Sequence, residues 1–183
     1  MRKITDDTKE IFEIVDKKGQ VIGKAQRNKC HQDENLIHQA VHLYIFNQKN
    51  QVLLQKRSAT KDLYPGCFTA SASGHLNISE GFKKAVLREA KEELSIDLKK
   101  KDLKAIGKFL IKAPTETELI MVFFTTFSGF LNPAKQEVED LVWFDPDRLF
   151  DLIKNKEIKL TPSTYYFLTH KKIIKAIKDY FKQ

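Results

Sequence analysis

The sequence has few of the residues that mark fibrous, disulfide-rich or disordered chains. Its 183 residues include 7 Gly, 5 Pro and 2 Cys, which excludes collagen-like and low-complexity proteins. The cysteines, Cys30 and Cys67, have neither metal-type nor redox-type spacing. A hydrophobic fraction of 42% with 13 Phe also excludes a disordered chain. A chain of this length buries roughly 70% of its unfolded surface, so we expect it to fold without a disulfide or a structural metal.

Long apolar runs are absent as well. The longest strongly apolar run covers residues 119–124, far short of the ~20 residues that a membrane span needs. The first ten residues are charged and lack the apolar core of a signal peptide. We therefore expect a cytoplasmic protein with no membrane partner.

The net charge is positive. The chain has 32 basic and 24 acidic residues, for a formal charge of +8. Such an excess favours anionic partners, among them nucleic acids, phosphorylated small molecules and acidic lipids. Lysines spread over a solvated surface would give the same excess, so charge alone does not choose between these partners.

Local patterns predict a mixed sheet with helices packed on its faces. Residues 11–25 read as a hairpin turning at Gly19, and residues 39–56 as a second strand pair turning near residues 49–50. Residues 61–74 are predicted to be irregular. The remaining predicted elements are a helix at 81–94, strands at 103–112, 118–127 and 140–145, and a helix at 146–155.

A final helix is predicted from Thr161 onward. Thr161 is a suitable N-cap, and Pro162 fits the first helical position. Apolar and aromatic residues then recur at helical spacing, which predicts one continuous helix with a buried stripe. The stripe consists of Tyr166, His170, Ile173, Ile177 and Tyr180.

The helix at 81–94 carries the most informative chemistry. Glu89, Glu92 and Glu93 stand at i, i+3 and i+4, within an arc of about 100°. Carboxylates this close repel one another unless a cation lies among them, and such oxygen ligands suit Mg²⁺ or Mn²⁺. An isolated helix with this pattern would more simply be a solvated acidic face. Arg88 is placed to pair with Glu80 and so to anchor the helix to the preceding loop.

The whole segment from Gly74 to Ile96 resembles the Nudix box, G-x5-E-x7-R-E-U-x-E-E-x-G-U, where U is a bulky aliphatic residue. Ala90 is smaller than the usual aliphatic residue, and Ser95 replaces the last glycine. The matching positions are Gly74, Glu80, Arg88, Glu89, Glu92, Glu93 and Ile96. The resemblance implies an α/β (α+β) fold, in which a mixed β-sheet is sandwiched between helices. It also implies a loop–helix–loop that holds a divalent metal against a diphosphate. We expect a single domain over residues 1–183, with the hairpin at about 11–26 as an N-terminal extension.

Outside the box, the chain is similar to the Nudix branch that contains isopentenyl diphosphate isomerase and its hydrolase relatives. In that branch three histidines and two glutamates hold a metal. The matching positions here are His31, His38, His75, Glu116 and Glu118. The branch also places basic residues for the diphosphate, and these match Arg27, Arg57 and Lys61. Neutral imidazoles and carboxylates do make a good metal site, and guanidinium groups grip phosphate oxygens. Each histidine could instead be an ordinary core or surface residue, and each basic residue a plain surface charge.

Two features favour hydrolysis over isomerisation. The isomerases need a cysteine directly before the Gly-His pair, where this chain has Ser73, and Cys67 does not align with that position. A serine hydroxyl cannot readily replace a thiol in proton transfer to carbon, because its pKa is far higher. The isomerases also retain only the last glutamate of the box, whereas this chain retains all three.

We therefore expect a metal-dependent hydrolase that cleaves a diphosphate bond in a nucleoside diphosphate-type or other small molecule. The implied cofactor is Mg²⁺ or Mn²⁺, bound by Glu89, Glu92 and Glu93. The candidate catalytic residues are Arg88, Glu92, Glu93 and Glu116, and Glu118 is a further candidate for the base. Arg27, Arg57 and Lys61 would clamp the phosphates.

Two alternatives stay open. The first is an isopentenyl diphosphate isomerase-like enzyme acting on prenyl diphosphates. The second is a non-catalytic module that binds phosphate or RNA, although a nucleic-acid partner is not favoured. The leaving group and the oligomeric state are not predictable from the sequence.

Overall fold

The computed structural model describes residues 6–181 and shows nine strands in one mixed sheet. The strands are β1 (Ile11–Val15), β2 (Val21–Gln26), β3 (Ile37–Phe46), β4 (Val52–Arg57), β5 (Phe68–Thr69), β6 (Ala72–His75), β7 (Lys104–Lys112), β8 (Thr117–Thr126) and β9 (Val138–Phe144). The helices are α1 (Arg27–Cys30), α2 (Phe82–Leu94), α3 (Pro146–Lys154), α4 (Pro162–Thr169) and α5 (Lys171–Tyr180), with a short 3₁₀ turn at Lys100–Asp102.

Strand β3 is the centre of the sheet. It pairs in parallel with β8 along its whole length, from Ile37 opposite Thr117 to Phe46 opposite Thr126. Along its other edge it pairs antiparallel with β1, then with β6, and finally with β4. The predicted hairpin forms from β1 and β2 and joins the sheet through this β1–β3 contact.

Alternate residues of β3 enter two different cores, as the period of a strand requires. Ala40 and Tyr44 belong to a core that is closed by α3, α4 and α5. Val41 and Leu43 belong to a second core, which is closed by α2. The sheet therefore lies between α2 on one face and the C-terminal helices on the other, which confirms the predicted sandwich.

Helix α2 has the predicted position and an unusual end. Its apolar stripe includes Ala90 and Leu94, which are both fully buried. The C-cap, Ser95, has φ 58° and ψ 33°, the left-handed conformation that usually favours glycine. The Ser95 hydroxyl donates a hydrogen bond to the carbonyl of Asn132 at 2.9 Å. The small polar residue at the box's last glycine position thus keeps the expected turn.

Two predictions about local structure were wrong. Residues 61–74 are not wholly irregular, since they contain β5 and most of β6, strands too short to give a periodic signal. The final helix is two helices, because His170 is extended, with φ −79° and ψ 124°, and caps α5. Thr169 contributes to the break by donating its hydroxyl to the Tyr165 carbonyl at 2.7 Å. Within residues 6–181, no helix is long and apolar enough to cross a membrane.

Candidate functional site

The three glutamates of α2 occupy different environments. Glu89 and Glu93 are buried at 8% and 7% exposure, because their positions turn toward the sheet beside the apolar stripe. The side chain of Glu92 is 57% exposed and faces solvent. The predicted acidic arc is therefore two buried carboxylates and one open one.

Glu89 fits against strand β6 only because residue 74 is glycine. An ideal Cβ on Gly74 would lie 2.0 Å from Glu89 Oε1 and 2.2 Å from its Cδ. The first glycine of the box therefore provides the space that the Glu89 carboxylate fills.

Arg88 holds the acidic cluster together. One of its nitrogens donates to Glu89 Oε1 at 2.6 Å and to Glu92 Oε2 at 3.0 Å. A second nitrogen, Nη2, donates to Glu80 Oε2 at 2.8 Å and to the His75 carbonyl at 2.9 Å. The predicted Arg88–Glu80 pair is thus present, and Arg88 also ties α2 to the end of β6.

Glu93 is held from the sheet side. Its Oε2 accepts hydrogen bonds from the Gln55 side chain at 3.0 Å and from the Ser73 backbone N–H at 2.9 Å. Burial, reinforced by the charge of Glu89, raises the pKa of Glu93 well above its usual range. Burial likewise raises the pKa of Glu89, although Arg88 opposes the shift. A cation bound nearby would strongly stabilise the ionised form of such buried carboxylates.

A second cluster lies on the other side of β6. His31, His38, His75 and Glu116 each place one ligand atom so that all four atoms lie within 4.8 Å of one another. Elements distant in sequence bring them together, since His38 is on β3, His75 ends β6 and Glu116 precedes β8. Among residues 6–181 this is the group of side chains whose geometry suits a metal ion, and the glutamates of α2 do not form a comparable group.

Two histidines of this cluster point a ring nitrogen at the same carboxylate oxygen. His31 Nε2 lies 3.3 Å from Glu116 Oε2, and His38 Nε2 lies 3.8 Å from the same oxygen. Neither nitrogen has a hydrogen-bond partner among the described residues, and nor does His31 Nδ1. Burial lowers the pKa of His38 to about 3, so its ring is neutral at physiological pH. Buried imidazole nitrogens that lack a hydrogen-bond partner and lie beside a carboxylate fit a divalent metal.

Glu118 lies next to this cluster. Its Oε1 is 3.4 Å from His75 Nε2, while the other ring nitrogen of His75 accepts from Arg27 at 3.3 Å. Burial and the neighbouring Glu116 raise the pKa of Glu118 well above its usual range. The structure thus brings together all five side chains of the predicted second metal site.

Two adjoining cavities connect these groups. The histidine-side cavity, of about 100 Å³, is lined by His31, His75, Glu116 and Glu118, and by Arg57, His42 and Ser163 among others. The helix-side cavity, of about 290 Å³, is lined by Arg88, the three α2 glutamates, Glu137 and the acidic residues Asp6, Asp7 and Glu10. Ser73, Gly74, His75 and Arg27 line both cavities. One short strand therefore separates an acidic cluster from a histidine cluster.

The predicted phosphate ligands are placed unequally. Arg57 lines the histidine-side cavity and donates through Nε to the Leu63 carbonyl at 3.1 Å. Arg27 lines both cavities but is already paired with Asp6 at 3.4 Å and Asp62 at 3.2 Å. Lys61 lines neither cavity and pairs with Asp6 and Glu137.

Sequence reasoning missed several residues of the site. Asp6 and Asp62 pair with Arg27, and Asp62 also lies 3.3 Å from His31 Nδ1. No spacing pattern marks either residue, because they reach the site through the packing of loops. His42 had a usable signal, since it follows His38 by four residues on a strand and so faces the same side.

A family model described as the NUDIX domain matches residues 36–167. The chain belongs to the Nudix family. This membership supports an enzyme that acts on a small-molecule diphosphate, in a family that generally uses divalent metals.

Isopentenyl-diphosphate Delta-isomerase from Paenarthrobacter aurescens is 34% identical over 161 residues, covering 85% of this chain and 84% of the relative. Isopentenyl-diphosphate Delta-isomerase 1 from Mesocricetus auratus is 31% identical over 177 residues, covering 84% and 78%.

Solved structures agree with the Nudix fold. The DR0079 protein from Deinococcus radiodurans superposes with a TM-score of 0.74 at 19% identity, covering 87% of this chain and 97% of that one. The MutT protein from Methanosarcina mazei Go1 superposes with a TM-score of 0.62 at 17% identity, covering 80% and 96%. At these identities the likeness shows the fold alone.

Proposed function

We propose that this protein is a metal-dependent hydrolase that cleaves a diphosphate bond in a small molecule. The observation that carries the proposal is the pair of adjoining cavities divided by Ser73–His75. One side offers two buried carboxylates, Glu89 and Glu93, and the other offers a cluster of three histidines with Glu116. The two cavities share Arg27 and the Ser73–His75 wall, so a diphosphate bound at this wall would lie beside both.

The residues present fit divalent cations on both sides. Glu89 and Glu93, with the open Glu92, would hold Mg²⁺ or Mn²⁺ on the helix side. His31, His38, His75, Glu116 and Glu118 would hold a second cation on the other side. A bound cation would supply charge neutralisation of the diphosphate oxygens and a water of lowered pKa.

The chain's own residues then orient the substrate and move the proton. Arg57 faces the histidine-side cavity and is the cation best placed for phosphate oxygens. Arg88 acts as a positioning residue that holds Glu89, while Lys61 is paired with Asp6. The carboxylate that takes the proton from the attacking water is one of Glu92, Glu93, Glu116 and Glu118, and these stay alternatives.

Isopentenyl diphosphate isomerisation is the second candidate, and the named relatives favour it. The position of the sulfur atoms favours hydrolysis instead. Neither Cys30 nor Cys67 lines either cavity, and Ser73 occupies the shared wall. Cys30 is fully buried, and burial raises the pKa of its thiol to about 11. No thiol of the described residues is therefore placed for proton transfer to a carbon at this site.

One incubation separates the two reactions. Isopentenyl diphosphate and a panel of nucleoside diphosphate compounds are mixed with the protein and Mg²⁺ or Mn²⁺, with EDTA as the control. We expect phosphate or monophosphate release from at least one compound, abolished by EDTA, and no dimethylallyl diphosphate. Appearance of the dimethylallyl isomer without phosphate release would establish the isomerase and refute the hydrolase.

A further inference from the structure

The inner wall of the histidine-side cavity contains a buried polar group without a partner. His42 lies on β3 opposite Ser73 of β6 and lines the cavity at 4% exposure. Its Nδ1 makes no hydrogen bond to any described residue. The ring is held edge-on by Phe167, with centroids 5.3 Å apart. An imidazole fixed in this way, with an unused ring nitrogen, lacks a hydrogen-bond partner that a ligand can supply.

The surrounding wall is mixed. Ala40, Leu63, Ala113 and Pro162 supply its apolar part, and its hydroxyl groups are already hydrogen-bonded to one another. Thr69 and Thr161 line the cavity and share a hydrogen bond of 3.3 Å between their hydroxyls. Ser163 lines it too, and its hydroxyl lies 3.4 Å from that of Thr161. Thr69 has a further bond of 3.1 Å to Thr164. The unsatisfied nitrogen of His42 therefore distinguishes it from these hydroxyl groups.

A wholly hydrocarbon group would suit His42 poorly. Filling the space with such a group would leave the buried His42 Nδ1 without a hydrogen-bond partner. The cavity of about 100 Å³ has room for several waters or for one compact organic group. A compact group that carries one hydroxyl would fit the volume of the cavity and would supply His42 with the missing hydrogen bond.

We propose that the organic part of the substrate is a small hydroxylated alcohol, whose hydroxyl group bonds to the buried His42, rather than a prenyl chain. This inference deepens the proposed function and rests on it for the placement of the diphosphate. His42 contacts the substrate away from the reacting phosphorus and so determines specificity without taking part in the chemistry.

The test compares two probes that differ by one hydroxyl group, 3-hydroxy-3-methylbutyl diphosphate and 3-methylbutyl diphosphate. Binding to the full chain is measured by calorimetry with Mg²⁺, and hydrolysis of each probe is measured separately. We expect the hydroxylated probe to bind at least about tenfold more tightly, as one buried hydrogen bond allows. His42→Leu should remove this preference, while His42→Gln, which keeps a hydrogen-bonding group, should retain part of it.

His170→Leu is the matched control. His170 is another histidine whose Nδ1 has no partner among the described residues, but it lies against Tyr166 and lines neither cavity. The control should keep the full preference, and thermal melts report whether each variant is folded.

The outcomes separate this inference from the proposed function. Equal affinity of the wild-type protein for the two probes, or no binding of either, overturns the inference even if other diphosphates are hydrolysed. A preference that persists in folded His42→Leu overturns the role of His42. A preference that disappears in His42→Leu supports the inference, and it does so even if neither probe is hydrolysed, a result that would count against the proposed function alone. If His42→Leu does not fold, the wild-type comparison and His42→Gln decide the matter.

Discussion

Replacing Gly74 with alanine should damage the site much more than the fold. The added Cβ would lie 2.0 Å from Glu89 Oε1, whereas non-bonded atoms prefer separations of roughly 3.5 Å. Either β6 or the carboxylate must therefore move by about 1 Å or more. The backbone of β6 is fixed by four register pairs with β3, so the Glu89 side chain is the group expected to move.

The displacement has two measurable consequences. Glu89 loses its 2.6 Å contact with Arg88, so we expect the free energy of unfolding to fall by about 1–3 kcal/mol. The same displacement should reduce metal-dependent phosphate release by about 10²-fold, because catalytic groups tolerate errors of only a fraction of an ångström. Urea unfolding and a phosphate-release assay measure these two effects.

A double-mutant cycle tests the cause. Glu89→Ala removes the colliding group, so Gly74→Ala should be destabilising in the wild type and nearly neutral in the Glu89→Ala background. Gly23→Ala is the control, because nothing lies within 4 Å of a Cβ at that position. Additive changes within about 0.5 kcal/mol would refute the steric reasoning, and an unchanged phosphate-release rate in Gly74→Ala would refute its functional part.

Three further predictions concern stability and reactivity. Burial lowers the pKa of His42 to about 3 from 6.5, so below pH 6.5 the unfolded chain binds a proton that the folded protein does not. By pH 5 this difference lowers the free energy of unfolding by ~2 kcal/mol. Urea unfolding of His42→Leu should therefore show a shallower fall in stability between pH 7.5 and pH 5, and an equal fall would contradict the reasoning. A thiol reagent should label Cys67 in the native protein and Cys30 only after unfolding, because Cys30 is fully buried. Rapid labelling of both cysteines in the native protein would contradict this burial. Asp145→Ala should lower the free energy of unfolding by about 1 kcal/mol, since Asp145 caps α3 by accepting from the Asp147 N–H, whereas Asp147→Ala should change it less.

The sequence predicted the positions of those candidate residues that are set by short spacings. The box placed Arg88, Glu80 and the glutamates of α2 correctly on one helix and its loop, because a helix fixes neighbours at i+3 and i+4. It did not predict that Glu92 points to solvent while Glu89 and Glu93 are buried. That difference depends on how α2 lies against the sheet, which no local pattern encodes.

The partners of Arg27 and Lys61, and the break at His170, depend on long-range packing and could not be predicted from the sequence. Arg27 and Lys61 were expected to be phosphate ligands, but the structure surrounds them with carboxylates from the N-terminal segment and from loops, Asp6 above all. The break at His170 was missed for a similar reason. The helical pattern continues through it, while a single extended residue ends α4 and starts α5.

The most direct test of the account is metal-dependent phosphate release by Glu93→Gln. The substitution keeps the size of a side chain that accepts from Gln55 and Ser73, but removes the charge that a cation needs. Glu139→Gln is the control, because Glu139 is an exposed partner of Lys56. We expect Glu93→Gln to fold normally and to lose about 10²-fold or more of the Mg²⁺-dependent rate, with Glu139→Gln unaffected. A Glu93→Gln rate equal to that of the wild type would contradict the central claim that α2 holds the catalytic cation.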